Sequence, residues 1–171
     1  MIPFETAHIF LEAFGINRRT EAYERWERPD GFREEDFGEV LCDSPFWLTV
    51  DWRASIDEIV VDFAKALKAH GHELKYKLTE GDENSAEVQV GNLGPVSIVY
   101  SPNEDEGDLS ALTAKLVSVL PTELELRASI SNSGSDTGVF AILKIENWKV
   151  AESTNPSLLA SMFSIPIAPD A

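Results

Sequence analysis

The densest group of chemically capable side chains in this chain is a run of carboxylates between residues 80 and 108. From residue 78 to residue 114 there is no lysine or arginine. A field of this sign repels nucleic acid and anionic membrane, and it attracts cations and basic proteins. We therefore expect a basic protein partner, and neither nucleic acid nor membrane. The run supplies half of the formal net charge of −16 through eight acids: Glu80, Asp82, Glu83, Glu87, Glu104, Asp105, Glu106 and Asp108.

The spacing of these acids does not match a calcium-binding loop. Such a loop alternates oxygen ligands and ends on a glutamate at its twelfth position. Counted from Asn103, Asp105 takes the third position, but Gly107 takes the fifth and Ala114 the twelfth. We predict no metal site and no cofactor. The sequence leaves open whether the acidic turns bind a cation in a looser arrangement.

Three histidines and one cysteine are the other candidates for catalysis. His70 and His72 straddle a glycine at a predicted helix end, where exposed carbonyl groups favour a cation, and His8 is expected to pack within an apolar helix. Acids on both sides of Cys42 raise a thiol pKa and suppress the reactive thiolate, so we interpret Cys42 as a small, partly buried residue. Serine hydrolase, zinc protease, Walker and dinucleotide-binding motifs are absent. We assign no catalytic residue.

Length and composition predict one domain, residues 1–171, with a substantial core. The chain is 43% hydrophobic and contains four tryptophans and nine phenylalanines. A single cysteine excludes an intrachain disulfide, and the chain shows neither a secretory leader nor an apolar stretch long enough to span a bilayer. These features predict a cytoplasmic protein.

Three segments are predicted within this domain: a helical N-terminal segment at 1–43, a core at 46–145, and a C-terminal helix and tail at 146–171. The clearest element is an amphipathic helix that begins at the capping box of Ser55 and Glu58 and ends before Gly71. Further helices are expected at 4–14, 18–28 and 109–120, and after Asn155-Pro156. Strands are expected at 46–50, 73–78, 86–90, 95–100, 122–130 and 136–145.

Successive hairpins in this order predict the α+β class. We expect one antiparallel or mixed sheet of about five to six strands, with two core helices and the N-terminal helical segment before it. Alternation along the first strand places Phe46 and Trp47 on opposite faces, so that the N-terminal helices would cover a second face through Tyr23 and Trp26. An aromatic left at the surface, such as Trp52, could anchor a partner.

A small, strongly acidic α+β chain without catalytic motifs resembles the immunity proteins that neutralise bacterial toxins, and also nucleic-acid-mimicking inhibitors. The resemblance is one of size and composition. It implies an acidic protein-binding module that occludes a basic partner. In our hypothesis Glu83, Glu104, Asp105 and Glu106 steer this partner by their charge, and Trp52 anchors it.

Two alternatives stay open at this point. One is a small enzyme whose site is assembled from scattered carboxylates and histidines, although the sequence favours a binding protein over an enzyme. The other is a structural domain whose acidity serves solubility, with a self-association surface in residues 1–43. A homo-oligomer is therefore possible.

Overall fold

The computed structural model describes residues 1–17, 20–51, 53–100, 107–130 and 137–164, and it shows an α+β fold. None of the helices in these ranges combines the length and the apolar character that crossing a bilayer requires. The helices are α1 Phe4–Ala13, α2 Glu21–Trp26, α3 Phe37–Leu41, α4 Ile56–Ala69, α5 Gly107–Ser118, α6 Ile145–Thr154 and α7 Pro156–Met162. The strands are β1 Trp47–Val50, β2 Leu74–Leu78, β3 Ser85–Val90, β4 Val96–Val99, β5 Leu124–Ala128 and β6 Gly138–Lys144.

The described strands form two antiparallel sheets, where the sequence predicted one. The first sheet has the order β1-β6-β5 and the second the order β2-β3-β4, with three strands each. The α+β class, the six strands and the helical N-terminal segment are confirmed. The prediction of a single sheet was wrong. Hairpin patterns indicate which neighbouring strands pair, but they contain no information on whether separate hairpins join into one sheet.

The first sheet is covered on both faces, and it separates two clusters of buried side chains. Leu48, Val50, Phe140 and Ile142 face the first core, which α4, α5 and the second sheet complete. Ala141 and Leu143 of β6 face the second core, which consists mainly of residues from α1, α3, α6 and α7. The prediction of two core helices was therefore too low, since all seven described helices contribute buried residues.

α4 is the element that the sequence predicted best. The Ser55 hydroxyl accepts a hydrogen bond from the Glu58 amide at 3.3 Å, while the Glu58 carboxylate accepts one from the Ser55 amide at 2.8 Å. This reciprocal pair satisfies two of the amide groups that a helix start leaves without partners. Gly71 follows the helix with φ of +86°. The capping box and the terminal glycine thus limit α4 by local interactions alone.

α6 was not predicted, and one tryptophan docks it against the first sheet. Trp148 is 1% exposed, and its indole N–H donates to the Glu125 carbonyl oxygen of β5 at 3.0 Å. The guanidinium of Arg127 lies 4.4 Å from the centre of the Trp148 ring. A buried indole needs a hydrogen-bond acceptor, and the backbone of β5 supplies it.

One contact holds the chain between α2 and α3 against the N-terminus, and a second holds that segment together internally. Ile2 and Phe32 exchange backbone hydrogen bonds of 2.7 and 3.0 Å. Asp36 is buried at 3% exposure and accepts two hydrogen bonds from Arg33, at 3.0 and 3.1 Å, with Arg28 at 3.6 Å. The Arg33 hydrogen bonds lower the pKa of Asp36 below its ordinary value, against the opposing effect of burial. The buried carboxylate therefore stays ionised.

Replacing Gly31 should disrupt this N-terminal bridge. Gly31 has φ of +121°, and an added methyl group would overlap the backbone carbonyl of Ile2. We expect Gly31→Ala to lower the free energy of unfolding by about 3 kcal/mol, the upper end of the cost of positive-φ strain. Urea unfolding of the purified variant measures this change.

Gly38→Ala is the matched control, because Gly38 lies inside α3 and an added methyl group there meets no atom within 4 Å. Alanine should leave stability unchanged or raise it by up to about 1 kcal/mol, since glycine disfavours a helix interior. Equal destabilisation by both substitutions would contradict a special role of the bridge at Gly31.

Candidate functional site

The acidic turn between β2 and β3 contains the one predicted partner-binding residue that the structure describes. Glu83 is exposed in this turn, and the carboxylate of its neighbour Asp82 accepts a hydrogen bond from the Asn84 amide at 3.0 Å. Asp82 therefore helps to form the turn, while Glu83 points its charge to solvent. The other predicted partner-binding residues lie outside the described residues and stay predictions: Trp52, Glu104, Asp105 and Glu106.

A groove of about 670 Å³ lies between the end of β1 and the outer side of α4. Its lining includes Thr49 of β1 and Val61 of α4 beside charged groups. Trp52 falls in the sequence between two of the lining residues. Four carboxylates and two cations carry the charge of the groove: Asp51, Asp57, Glu58, Asp62, Arg53 and Lys65.

Local hydrogen bonds hold the groove acids in place. Asp51 accepts from the Arg53 amide at 2.8 Å and from its guanidinium at 3.3 Å. The amide bond is the largest cause that lowers the pKa of Asp51 below its ordinary value, so this group is ionised at neutral pH. Asp62 accepts from the Lys65 ammonium group at 2.7 Å, across one turn of α4.

The arrangement suits cation docking better than proton transfer. Asp51, Glu58 and Asp62 already accept hydrogen bonds from neighbouring donors of the chain, and Asp57 makes no such bond among the described residues. A general base needs a carboxylate directed at a substrate proton in an enclosed site. Here the groups are exposed, and their excess negative charge is available to lysine or arginine side chains of a partner.

None of the three histidines lines this groove. Nε2 of His8 lies 3.1 Å from Glu12, and Nε2 of His72 lies 3.0 Å from Glu123. His8 and His72 therefore each pair with a single carboxylate. In the part of the chain that the structure describes, no three histidine, cysteine or carboxylate side chains converge so as to hold a metal ion.

His70 joins the end of α4 to the first sheet. Its ring stacks on Phe46 with ring centres 4.1 Å apart, and its Nε2 lies 2.7 Å from the carbonyl oxygen of Ile142. Burial lowers the pKa of His70 below its ordinary value of 6.5, the Ile142 hydrogen bond opposes this change, and Lys144 and His72 add to it. The ring is thus a neutral packing group.

Two interpretations of single residues were wrong. Cys42 is exposed, because it ends α3 on the outer side and donates its thiol to the Gly38 carbonyl oxygen at 3.3 Å. Partial desolvation of the sulfur, and then the acids Asp43 and Glu39, still raise its pKa. Phe46 and Trp47 do not lie on opposite faces, since β1 begins only at Trp47 and both side chains pack against the second core.

The sequence showed the acids of α4, but it did not show that β1 lies beside them and completes the groove. Asp57, Glu58 and Asp62 lie on the polar side of a helix whose apolar stripe had been recognised. The spacing of four between Glu58 and Asp62 places them on one helix face. The position of Asp51 and Thr49 beside the acids of α4 depends on how β1 packs against α4, and no local sequence pattern predicts that packing.

Comparison with known proteins does not identify a relative. No protein-family model matches this chain, and searches of curated proteins and of solved structures give no match. The function of the protein must therefore be inferred from its own residues.

The depressed pKa of His70 predicts a loss of stability in mild acid. Below about pH 6.5 the unfolded chain binds a proton at this position that the folded chain resists, so the free energy of unfolding should fall as the pH decreases through that value. In His70→Gln this decrease should become smaller, because an amide can still donate to Ile142 but does not titrate. Urea unfolding between pH 5 and 8 measures the difference.

His8→Gln serves as the control in the same titration, because it removes a histidine that lies away from the Phe46–Ile142 contact. An identical pH dependence in the wild type and His70→Gln would show that His70 does not cause the effect.

Proposed function

We propose that this protein is an acidic protein-binding module, and that its basic partner docks in the groove between β1 and α4. The supporting observation is the placement of four carboxylates against two cations in one open depression. Inhibition of the partner by occlusion, in the manner of an immunity protein, is the finer form of this proposal. This finer form rests on the acidic composition of the chain, and it requires no catalytic residue.

The backbone of β1 supports an extended partner segment. The Ile142 amide donates to the Phe46 carbonyl oxygen at 3.0 Å, so alternate residues of β1 from Phe46 onward direct their backbone groups toward β6. Thr49 then directs its amide and carbonyl away from β6. Since β1 is an edge strand and Thr49 lines the groove, a partner strand could pair there while its basic side chains reach the carboxylates.

The charge of the whole chain favours fast encounter with such a partner. A net charge of −16 creates an attractive field for a basic protein, and rim carboxylates act mainly on association. Glu83 is exposed and contributes to this field. Glu104, Asp105 and Glu106 add to it through their charge in the sequence, and Trp52 remains the proposed aromatic anchor.

Solubility is the competing explanation for the acidity, and an enzyme is the other. No histidine lines the groove, so the groove does not support the enzyme hypothesis, which expects histidines beside a carboxylate in one pocket. The solubility explanation requires only that the acids be exposed, wherever they lie. Charge reversal inside the groove should therefore differ in effect from charge reversal outside it only under the docking proposal.

Reversing charge in the groove should weaken binding of a basic partner more than reversing charge elsewhere. Purified proteins encoded by adjacent genes are first tested for binding at low salt. For one that binds, Asp57→Lys with Asp62→Lys should slow association about tenfold. Loss of Asp57 from the first turn of α4, which keeps Glu58, should cost no more than about 1 kcal/mol of stability. Surface-plasmon measurements at two salt concentrations record the rates.

The control is Glu27→Lys with Glu152→Lys, which makes the same change in net charge at exposed positions outside the groove. Equal slowing by both pairs would assign the effect to overall charge and remove the groove from the proposal. If no adjacent gene product binds, or binding ignores salt, the basic-partner proposal is wrong.

Charge reversal at residues 104–106 tests the contacts that the sequence predicted. If these acids are surface residues, as the sequence indicates, the triple change of Glu104, Asp105 and Glu106 to lysine should cost about 0.5 kcal/mol of stability or less. It should slow association with the basic partner and leave dissociation nearly unchanged, because rim charges govern encounter. A triple variant that unfolds would show that these carboxylates are structural.

A further inference from the structure

The second sheet ends in a strand that presents both unpaired backbone and uncovered apolar side chains. β2 is a terminal strand in the order β2-β3-β4. Tyr76 and Leu78 are each 42% exposed, although their side chains lie on the same face as the buried Val88 and Ala86 opposite them in β3. The cover that α4 gives to Leu74 at the start of β2 does not reach the end of the strand.

The register shows which backbone groups of β2 face outward. The Thr79 amide donates to the Ser85 carbonyl oxygen at 2.9 Å, so Thr79, Lys77 and Lys75 direct their backbone groups toward β3. The intervening residues Tyr76 and Leu78 direct theirs away from the sheet. Unpaired hydrogen-bonding groups and exposed apolar side chains thus belong to the same two residues.

The other face of β2 is cationic. Lys75 and Lys77 are exposed, and neither makes an ion pair among the residues that the structure describes. In β3 they lie opposite Gln89 and Glu87. A strand added beyond β2 would place its residues beside these two lysines, and Glu87 is the one carboxylate opposite them in β3, where it makes no ion pair with Lys77.

We propose that β2 is a docking edge for an extended segment in which acidic and apolar residues alternate. The segment would pair antiparallel with the backbone of Tyr76 and Leu78, cover their side chains with its apolar residues, and place its carboxylates beside Lys75 and Lys77. Main-chain hydrogen bonds supply affinity in such strand addition, and alternate side chains supply specificity. This surface carries the opposite charge to the β1–α4 groove, and the proposal does not depend on that groove.

Charge complementarity argues for this occupant over a second copy of the chain. The sequence from Leu74 to Leu78 reads the same in both directions, so two copies of β2 paired about Tyr76 would bring Lys75 opposite Lys77. Like charges directly opposite each other destabilise an antiparallel pair. An acidic strand replaces this repulsion with two favourable pairs.

The opposite edge of the same sheet lacks this combination. The Tyr100 amide donates to the Asn84 carbonyl oxygen at 2.9 Å, so Ser97 and Val99 are the β4 residues whose backbone faces outward. Val99 is 55% exposed, but Ser97 is polar, and no lysine or arginine occurs from residue 78 to residue 114. An added strand at β4 would therefore cover one apolar side chain and meet no cation of that strand.

A peptide of alternating valine and glutamate, about seven residues long, tests the proposal directly. Fluorescence anisotropy should show binding that is about tenfold tighter than that of the same peptide with glutamine in place of glutamate, a control that carries no positive charge to direct it to the acidic groove. Amide hydrogen exchange read by NMR should show new protection at Tyr76 and Leu78 on binding. The amides of Lys75 and Lys77, already bonded to β3, should change little.

Variants locate the site. Lys75→Glu with Lys77→Glu should reverse the peptide preference, whereas Lys115→Glu with Lys149→Glu changes net charge equally at exposed positions elsewhere and should not. Tyr76→Pro removes an outward amide that β3 does not use, and edge strands tolerate proline at such positions, so it should abolish binding. If Tyr76→Pro does not fold, Tyr76→Thr should weaken binding through loss of the apolar contact.

Three results would overturn the proposal. The first is absence of peptide binding, which would indicate that the lysines only protect the edge from aggregation. The second is binding without new protection at Tyr76 and Leu78. The third is self-association of the protein that Lys75→Glu with Lys77→Glu alters, which would identify a second copy as the occupant.

Discussion

The burial of β6 on both faces is the constraint on which the rest of the structure depends. Residues 139–143 of this strand are all buried, and residues 140–143 alternate between the two cores. A strand covered on both sides has no place for an unpaired charge, so it reads as a continuous apolar run. α4 and α5 pack on one side of this sheet and α1, α6 and α7 on the other, which fixes most helices relative to a single strand.

This arrangement places nearly all charge at the periphery. Among the described acids, Asp36 is the buried exception, and Arg33 and Arg28 neutralise it. The remaining acids crowd into turns and onto the outer sides of helices, where a net charge of −16 creates self-repulsion. Two terminal strands then differ in electrostatic character, because β1 lies beside the groove carboxylates and β2 carries two lysines.

The parts of the fold that could be predicted are those with local causes. The capping box at Ser55 begins α4, and the Asn155 side chain accepts from the Leu158 amide to begin α7 with proline at its first position. The α6 helix had no such signal, since it depends on Trp148 reaching the backbone of β5. Of the candidate site, the exposed charge of Glu83 was foreseeable, but the meeting of Asp51 with α4 was not.

By itself, the sequence determined the α+β class, the bounds of its strongest helix, the hairpin partners and the excess of acid in the turns. Each follows from interactions between residues close in the chain or from composition. The tertiary structure decided that the strands divide into two sheets, that β1 borders an acidic groove, and that Tyr76 and Leu78 lie beyond the helical cover. These outcomes depend on packing between residues far apart in sequence, which no local pattern encodes.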